Sequence, residues 1–246
     1  MNQLQITINN SNENLCKIIH QSIYESPKKR ITFAQYMDLV LYHPQYGYYA
    51  SHPVNIGKQG DFLTSSHWGA DFGELLAEQL MQMWNILNQP YNFTLVEMGA
   101  GQGILAEQVL EYLKQNHLDF FQTIKYLIIE KSEVLKEEQK ERLHSYKVRW
   151  CDWDEISHSS ITGCLFSNEL VDAFPVHKII IEDREIREVY VSSDSDGKFI
   201  EISGETSTPR IAEYFNLVGI DLLSFPDVEG YQTEVNLQAL DWINTV

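Results

Sequence analysis

Residues 95–110, LVEMGAGQGILAEQVL, decide the fold. An apolar run ends at an acid, three glycines follow in alternation (Gly99, Gly101 and Gly103), and helical spacing resumes at Ile104. Glycine adopts backbone angles closed to other residues and lets a ligand approach the chain without meeting a Cβ. The following helix directs its amide hydrogens and the positive end of its dipole at the same place. We therefore predict a binding site for a polar small molecule at this turn.

Short Val/Ile/Leu-rich segments alternate with helical patterns on both sides of this turn, which predicts parallel βαβ units with both sheet faces covered. The predicted strands are 93–98, 125–130, 147–151 and 163–167, and the predicted helices between them are 104–116 and 132–145. This order predicts a doubly wound α/β sheet, in which ligands bind at the carboxyl ends of the strands. Only four core parallel strands are visible in the sequence.

The flanking regions have a different character. Thr32 followed by Gln35 is a capping box that predicts a helix start, and residues 72–87 have the apolar spacing of an amphipathic helix. From 177 to 203 the period becomes two, which predicts an antiparallel insertion with a hairpin at Asp196-Gly197. The predicted segments are an N-terminal helical extension (1–90), an α/β core (91–176), and the β insertion with C-terminal helices (177–246).

Composition limits the classes of function. The net charge of −17 over 246 residues repels phosphate backbones, so we predict no nucleic-acid partner. The three cysteines have no CxxC spacing and the eight histidines form no HExxH or HxH motif, so we predict a reducing compartment and no metal site. The apolar runs are too short to span a bilayer, and no targeting pattern opens the chain. These features predict a cytoplasmic protein without membrane insertion, and they leave the oligomeric state open.

The motif spacing favours one ligand class. E-x-G-x-G-x-G departs from the G-x-G-x-x-G of dinucleotide sites, and the acid Glu97 would repel a pyrophosphate but attract an ammonium group. Glu130, at the end of the second strand, can accept hydrogen bonds from ribose hydroxyls. Asp152 is placed for an adenine amino group, and Trp153 for stacking on a base. An adenosine with a charged amino-acid tail is S-adenosylmethionine (SAM), and the arrangement resembles the cofactor motifs of class I, Rossmann-like SAM-dependent methyltransferases.

Each of these residues also has a structural interpretation. The glycines alone can form a tight turn, and Glu130 alone can be a solvated strand end. Trp153 can be a packed aromatic side chain, and Asp152 can cap the following segment.

Several ordered motifs closely resemble the MidA-like SAM-dependent methyltransferases, whose mitochondrial members assist complex I assembly. The motifs are HPQYGYY (43–49), GDFLTSS (60–66), FGELLAEQL (72–80), SNELVDAFPV (167–176) and GYQTEVNLQALDWI (230–243), together with the glycine motif. The resemblance runs from about residue 32 to the end of the chain. Relatives have Ser/Ala-Pro-Glu where this chain has Ser66-His67-Trp68, and they continue past the position of Val246 with further strands, so C-terminal strands are expected to be missing here.

The resemblance implies an enzyme that uses SAM to methylate a protein arginine, with a respiratory-complex subunit as the candidate substrate and, in a eukaryotic source, a location in the mitochondrial matrix. Residues that match its cofactor motifs are Glu97, Gly99, Ala100, Gly101, Gly103 and Glu130, with Gly60, Asp61, Phe62 and Thr64 over the cofactor. Residues that match its catalytic motif, next to the sulfonium, are Asn168, Glu169 and Asp172.

The catalytic motif is also sensible in physical terms. A guanidinium is always protonated in water, so carboxylates are needed to hold and orient it. Glu169 and Asp172, three residues apart, would share a face if a helical turn begins there. Alternatively, Asn168 and Asp172 tie the loop ahead of Pro175. Two other functions compete: a non-catalytic assembly or binding protein that keeps the fold, and a nucleotide-dependent dehydrogenase, which the glycine spacing disfavours.

Overall fold

The computed structural model describes residues 12–51 and 69–246 of the chain. Its helices are α1 (Glu13–Glu25), α2 (Phe33–Tyr42), α3 (Tyr48–Ser51), α4 (Asp71–Ile86), α5 (Ile104–Asn116), α6 (Leu118–Thr123), α7 (Glu133–Arg142), α8 (Arg210–Val218) and α9 (Leu237–Thr245). Its strands are β1 (Ile31–Thr32), β2 (Phe93–Met98), β3 (Lys125–Ile129), β4 (Val148–Trp150), β5 (Thr162–Ser167), β6 (His177–Glu182), β7 (Glu185–Ser193), β8 (Phe199–Gly204) and β9 (Gln232–Val235). Among these helices, none combines the length and apolarity needed to cross a membrane.

The chain divides into two compact units. One contains, of the described residues, 69–173 with the last two residues, and we call it the parallel-sheet unit. The other joins residues 12–51 to 174–244, and we call it the antiparallel-sheet unit.

The parallel-sheet unit has a four-stranded sheet of order β4-β3-β2-β5, with every neighbouring pair parallel. All six residues of β2 are buried, as expected for a central strand covered on both faces. Helices α4 and α5 contribute Leu80, Trp84, Val109 and Leu113 to the same core as Phe93 of β2. The predicted doubly wound α/β class is confirmed, and β2 and α5 begin and end where the sequence pattern placed them.

The antiparallel-sheet unit is built around β7, which pairs with β1, β6 and β8, while β9 pairs with β6. The predicted period of two is visible in β6, where Ile179 and Ile181 are buried. The predicted hairpin turn joins β7 to β8, with Gly197 at a φ of +76°. The capping box of Thr32 and Gln35 is also present at the start of α2.

This division differs from the three predicted segments. Residues 12–51 do not form a separate helical extension, because Ile31 of β1 pairs with Val191 of β7. Helix α4 was expected in that extension but packs on α5 in the parallel-sheet unit, with Ala77 fully buried there. A strand of two residues leaves no periodic signal in a sequence, so its pairing with β7 was not predictable from local pattern. The strands of residues 177–204 therefore belong, together with β1 and β9, to an antiparallel sheet that is separate from the parallel one.

Candidate functional site

The carboxyl ends of the parallel strands lie side by side along one edge of their sheet. In the register, Met98 of β2 is opposite both Ile129 of β3 and Ser167 of β5, and Ile128 is opposite Trp150 of β4. The residues that directly follow these strands are therefore neighbours: Gly99 after β2, Glu130 after β3, Asn168 after β5, and Cys151 with Asp152 after β4. This edge is where open parallel sheets bind ligands.

The glycine turn between β2 and α5 has the backbone that its sequence predicts. Gly99, Gly101 and Gly103 all have positive φ values, of +66°, +55° and +76°. Side-chain-bearing residues rarely adopt this region. The Gly99 N–H donates to the Ile129 carbonyl at 2.9 Å, and the Gly103 N–H donates to the Ala100 carbonyl at 2.8 Å. The turn therefore presents backbone, without side chains at its three glycines, at the N-terminus of α5.

The acidic loop of residues 168–173 lies against this turn. An ideal Cβ built on Gly99 would be 2.7 Å from Cδ1 of Leu170, so a side chain there would force Leu170 to move. Leu170 stands between Glu169 and Asp172 in the sequence. The structure thus brings the predicted catalytic segment next to the predicted cofactor turn.

Within the acidic loop, Glu169 and Asp172 do not lie in one helical turn, which was the condition for their sharing a face. The turn is a short 3-10 helix, Val171–Ala173, which includes Asp172 but not Glu169. Glu169 has a φ of +51°, and both acids are exposed while Asn168 is half-buried. Non-glycine residues in this conformation cluster at functional sites. The sequence spacing missed this conformation because Glu carries no local signal for it.

Glu97 points into the protein. Its side chain is 2% exposed, and the Tyr126 hydroxyl donates to its Oε2 at 2.6 Å. Burial raises the pKa of Glu97 to about 7, against the hydrogen bond from Tyr126, which lowers it, while the nearby Glu130 adds to the rise. The motif instead predicts a charged carboxylate beside a ligand ammonium group. The role of Glu97 in cofactor binding stays a prediction.

Replacing Glu97 by Gln should change how stability depends on pH. Because the pKa is raised from 4.5 to about 7 in the folded chain, the folded state binds more protons than the unfolded state between those values. Wild-type stability should therefore fall as the pH rises from 4.5 to 7, by about 3 kcal/mol from this group. Glu97→Gln removes that contribution and keeps an oxygen that can accept from Tyr126.

The measurement is urea unfolding of both proteins at pH 5 and pH 8. The wild type should lose stability relative to Glu97→Gln between the two pH values. The variant is the baseline, because all other titrating groups are the same in both proteins. Parallel losses in the two proteins would show that Glu97 titrates normally.

Glu130 is also largely buried, at 8% exposed, and its carboxylate is held by its own neighbourhood. Oε1 accepts the backbone N–H groups of Lys131 and Ser132 at 2.9 and 3.0 Å, and Oε2 accepts from Gln139 Nε2 at 3.2 Å. Burial raises the pKa of Glu130, although these hydrogen bonds oppose the rise. A carboxylate has about four acceptor positions, so three donors leave room for a ligand hydroxyl.

Helix α7 holds the glycine turn from behind. Gln139 Nε2 donates to the Gly101 carbonyl at 2.7 Å, and Arg142 Nε donates to the Gln102 carbonyl at 2.8 Å. Gln102 in turn donates to Glu138 at 2.8 Å. The backbone of the turn is therefore fixed by side chains of the helix that follows Glu130.

Three residues of the site, Tyr126, Gln139 and Arg142, were not predicted from the sequence. A signal for Gln139 was present, because it stands four residues from each of Leu135 and Leu143, and all three are buried. A polar residue on the apolar stripe of a helix requires buried partners. No comparable signal marks Tyr126 or Arg142.

Asp152 and Trp153 follow β4 as predicted, at the start of a 3-10 turn, Trp153–Glu155. Asp152 is exposed at the N-cap position, and its backbone N–H donates to Glu155 Oε1 at 3.0 Å. Trp153 is half-buried. This placement fits both the capping interpretation and an adenine contact, so both assignments stay predictions. The predicted residues Gly60, Asp61, Phe62 and Thr64 lie outside the described residues.

Comparison with known proteins decides the family. Residues 75–246, more than half of the chain, match the family described as "Putative S-adenosyl-L-methionine-dependent methyltransferase". The chain belongs to this family. The description of the family names SAM as the cofactor, which confirms the predicted cofactor.

A solved structure from Burkholderia thailandensis, with S-adenosyl-homocysteine bound, is similar to the chain with a TM-score of 0.78 and 26% sequence identity. That likeness covers 95% of this chain and 58% of the other. It supports the class I methyltransferase fold.

Two curated relatives carry names for protein arginine methyltransferases of mitochondria. The Drosophila melanogaster protein, "Protein arginine methyltransferase NDUFAF7 homolog, mitochondrial", is 31% identical over 215 residues, which are 77% of this chain and 48% of that protein. The Homo sapiens protein, "Protein arginine methyltransferase NDUFAF7, mitochondrial", is 30% identical over 190 residues, which are 67% of this chain and 42% of that protein. The chain spans about half the length of these relatives.

Proposed function

We propose that the chain binds SAM at the glycine turn and transfers its methyl group to a protein arginine. The observation that carries this proposal is the turn itself: three positive-φ glycines between β2 and α5, with Glu130 at the adjacent strand end. Backbone without Cβ atoms accommodates the nucleoside and its amino-acid tail, and the carboxylate of Glu130 accepts from a ribose hydroxyl. The likeness to a structure with bound S-adenosyl-homocysteine supports the same assignment.

When bound, SAM supplies a methyl group on a positively charged sulfur. The chain contributes position and charge. The acidic loop lies next to Gly99 through Leu170, which would bring the Glu169 and Asp172 carboxylates near that methyl group. Each can accept N–H donors of a guanidinium and aim one nitrogen at the methyl carbon.

The transfer balances as follows. A new N–C bond forms at the guanidinium nitrogen while the S–C bond breaks toward sulfur, and the nitrogen loses one proton. An exposed carboxylate such as Glu169 can accept that proton and pass it to water. The products are a methylated arginine, S-adenosyl-homocysteine and a proton.

The acceptor is proposed as a protein because the relatives are named protein arginine methyltransferases. A respiratory-complex subunit is the first candidate to assay, as the sequence resemblance implies. The compartment also stays a proposal: the cytoplasm or, in a eukaryotic source, the mitochondrial matrix, since the relatives are named as mitochondrial.

Glu169→Gln should retain cofactor binding and lose methyl transfer. The amide removes the negative charge that orients the guanidinium, and the loss of a charge-assisted pair is expected to lower the transfer rate by about 100-fold. Titration calorimetry with S-adenosyl-homocysteine measures binding, and incorporation of labelled methyl from SAM measures transfer. Glu141→Gln, which changes an exposed acid in the last turn of α7, is the control and should change neither. Equal transfer by Glu169→Gln and wild type would remove the assigned role.

The same labelling experiment, on a lysate of the source organism, tests the function as a whole. Label recovered as methylarginine supports the proposal, and label on another residue type redirects it to a different acceptor. SAM binding without any labelled product favours the non-catalytic binding protein. Micromolar NAD binding without SAM binding would overturn the proposal in favour of the dehydrogenase.

A further inference from the structure

Gln139 of α7 is fully buried, at 0% exposed, and joins three elements of the candidate site. Its Nε2 donates to the Gly101 carbonyl in the glycine turn at 2.7 Å and to Glu130 Oε2 at 3.2 Å. Its Oε1 accepts from the Trp150 indole nitrogen at 2.8 Å. Each polar atom of this side chain therefore has a partner.

We propose that Gln139 is the positioning residue for ribose recognition, because it fixes the Glu130 carboxylate relative to the glycine turn. This inference rests on the proposed role of Glu130 in binding the cofactor ribose. Gln139 itself would not contact the cofactor. It would act by holding Glu130 Oε2 and the Gly101 backbone at one distance from each other.

The three partners allow only one orientation of the Gln139 amide. A backbone carbonyl only accepts hydrogen bonds, and an indole N–H only donates. Turning the amide over would place its oxygen against the Gly101 carbonyl and its NH₂ group against the Trp150 N–H, so both contacts would be lost. In the orientation that satisfies both, the second N–H is directed at Glu130. The indole of Trp150 thus fixes the orientation of the Gln139 amide, and the amide fixes the position of the Glu130 carboxylate.

The remaining donors to Glu130 do not duplicate this effect. Lys131 and Ser132 bind Oε1 through backbone groups that directly follow Glu130 in the chain. They hold the carboxylate to its own strand end but do not link it to the glycine turn. Gln139 bonds to both, so its loss should leave Glu130 Oε2 free to move relative to the turn, while Arg142 still holds the turn through the Gln102 carbonyl.

The test is a thermodynamic cycle in which Gln139 is substituted in the protein and the ribose hydroxyls are removed from the ligand. Gln139→Met removes both polar atoms at nearly constant length, and the probes are S-adenosyl-homocysteine and its 2′,3′-dideoxy counterpart, measured by calorimetry. Wild type should prefer the hydroxylated ligand by about 10-fold or more, as expected for a hydrogen bond from a ribose hydroxyl to a charged carboxylate. Gln139→Met should lose about 10-fold in affinity for S-adenosyl-homocysteine and stay within about 2-fold for the dideoxy ligand.

A merely structural role would weaken both ligands alike, and that result would overturn the inference. Leu135→Ala on the same helix is the matched control, because the apolar side chain of Leu135 is buried but makes none of the hydrogen bonds of the network. It should lower stability in urea without changing the preference for the hydroxylated ligand. If Gln139→Met fails to fold, Trp150→Phe removes the donor that sets the amide and should reduce the same preference, by about 3-fold or more. An unchanged preference in that variant would also overturn the inference.

The wild-type measurement distinguishes a failure of this inference from a failure of the proposed function. A wild type that binds both ligands equally would overturn the ribose role of Glu130 and the inference with it. A wild type with the ribose preference, retained in Gln139→Met, would overturn the inference alone. A wild type that binds neither ligand would overturn the proposed cofactor site.

Discussion

Gly101→Val should lose at least about 100-fold in affinity for S-adenosyl-homocysteine while the chain still folds. Gly101 has a φ of +55°, a conformation that a β-branched residue adopts only with strain. The turn cannot relax by rotating its backbone, because the Gly101 carbonyl is held by Gln139 and the Gln102 carbonyl by Arg142. A valine must therefore either project side-chain atoms where the ligand should lie or break the bonds from α7.

Gly197→Val is the matched control for this variant. Gly197 also has a positive φ, of +76°, but it lies in the hairpin between β7 and β8, and a Cβ there would meet nothing within 4 Å. Both substitutions should cost about 1–3 kcal/mol of stability from backbone strain. Only Gly101→Val should lose the ligand. Unchanged affinity in a folded Gly101→Val protein would mean that the turn is not the cofactor site.

The parts of the fold with a local signal were predictable from the sequence. FTLVEM predicts the bounds of β2 because a buried central strand is a largely apolar run, and the glycines of the next turn mark the start of α5. The order of strands and helices then predicted the parallel sheet and the edge at which the site residues meet. The joining of residues 12–51 to the C-terminal strands was not predictable, because it depends on the two-residue pairing of β1 with β7.

The site residues show the same limit. Alternation and spacing place Glu97 and Glu130 at neighbouring strand ends, but they do not tell which way a carboxylate points. Glu97 faces Tyr126, 29 residues later in the chain, and this contact exists only because β2 and β3 pair. Glu169 is marked by a motif, and its left-handed backbone is set by the loop after β5 rather than by its own side chain. Residues that act through tertiary partners, such as Gln139, require the structure.

Glu188→Ala should lower the stability of the antiparallel-sheet unit by about 3–5 kcal/mol, because it leaves buried partners without their acceptor. Glu188 is 0% exposed, and its Oε1 lies 2.8 Å from Nδ1 of His177, the first residue of β6. Its Oε2 accepts the backbone N–H of Ser207 and contacts the Tyr190 hydroxyl at 3.2 Å. One carboxylate thus connects β6, β7 and the loop after β8.

The contribution of Glu188 to stability should depend on pH in the opposite direction to that of Glu97. Burial alone would raise the pKa of Glu188, but the hydrogen bonds from His177 and Ser207 outweigh burial and hold the pKa below the ordinary value of 4.5. The stability from this group is therefore present above about pH 4.5 and is lost as the pH falls toward the lowered pKa. The wild type should therefore be more stable than Glu188→Gln at neutral pH, and this difference should shrink in acid. In contrast, the wild type should become less stable than Glu97→Gln as the pH rises toward 8.

Glu201→Ala is the control, because it removes an ion pair from the same sheet at the surface. Glu201 of β8 receives two hydrogen bonds at 2.8 Å from Lys178 of β6, but its side chain is 48% exposed, and such pairs contribute at most about 1 kcal/mol. Amide hydrogen exchange localises the effect: Glu188→Ala should speed exchange in β6 and β7 and leave β2 and β3 protected. If Glu188→Ala costs no more than Glu201→Ala, the buried carboxylate contributes no more than a surface charge, and the stability of this sheet comes from its apolar core alone.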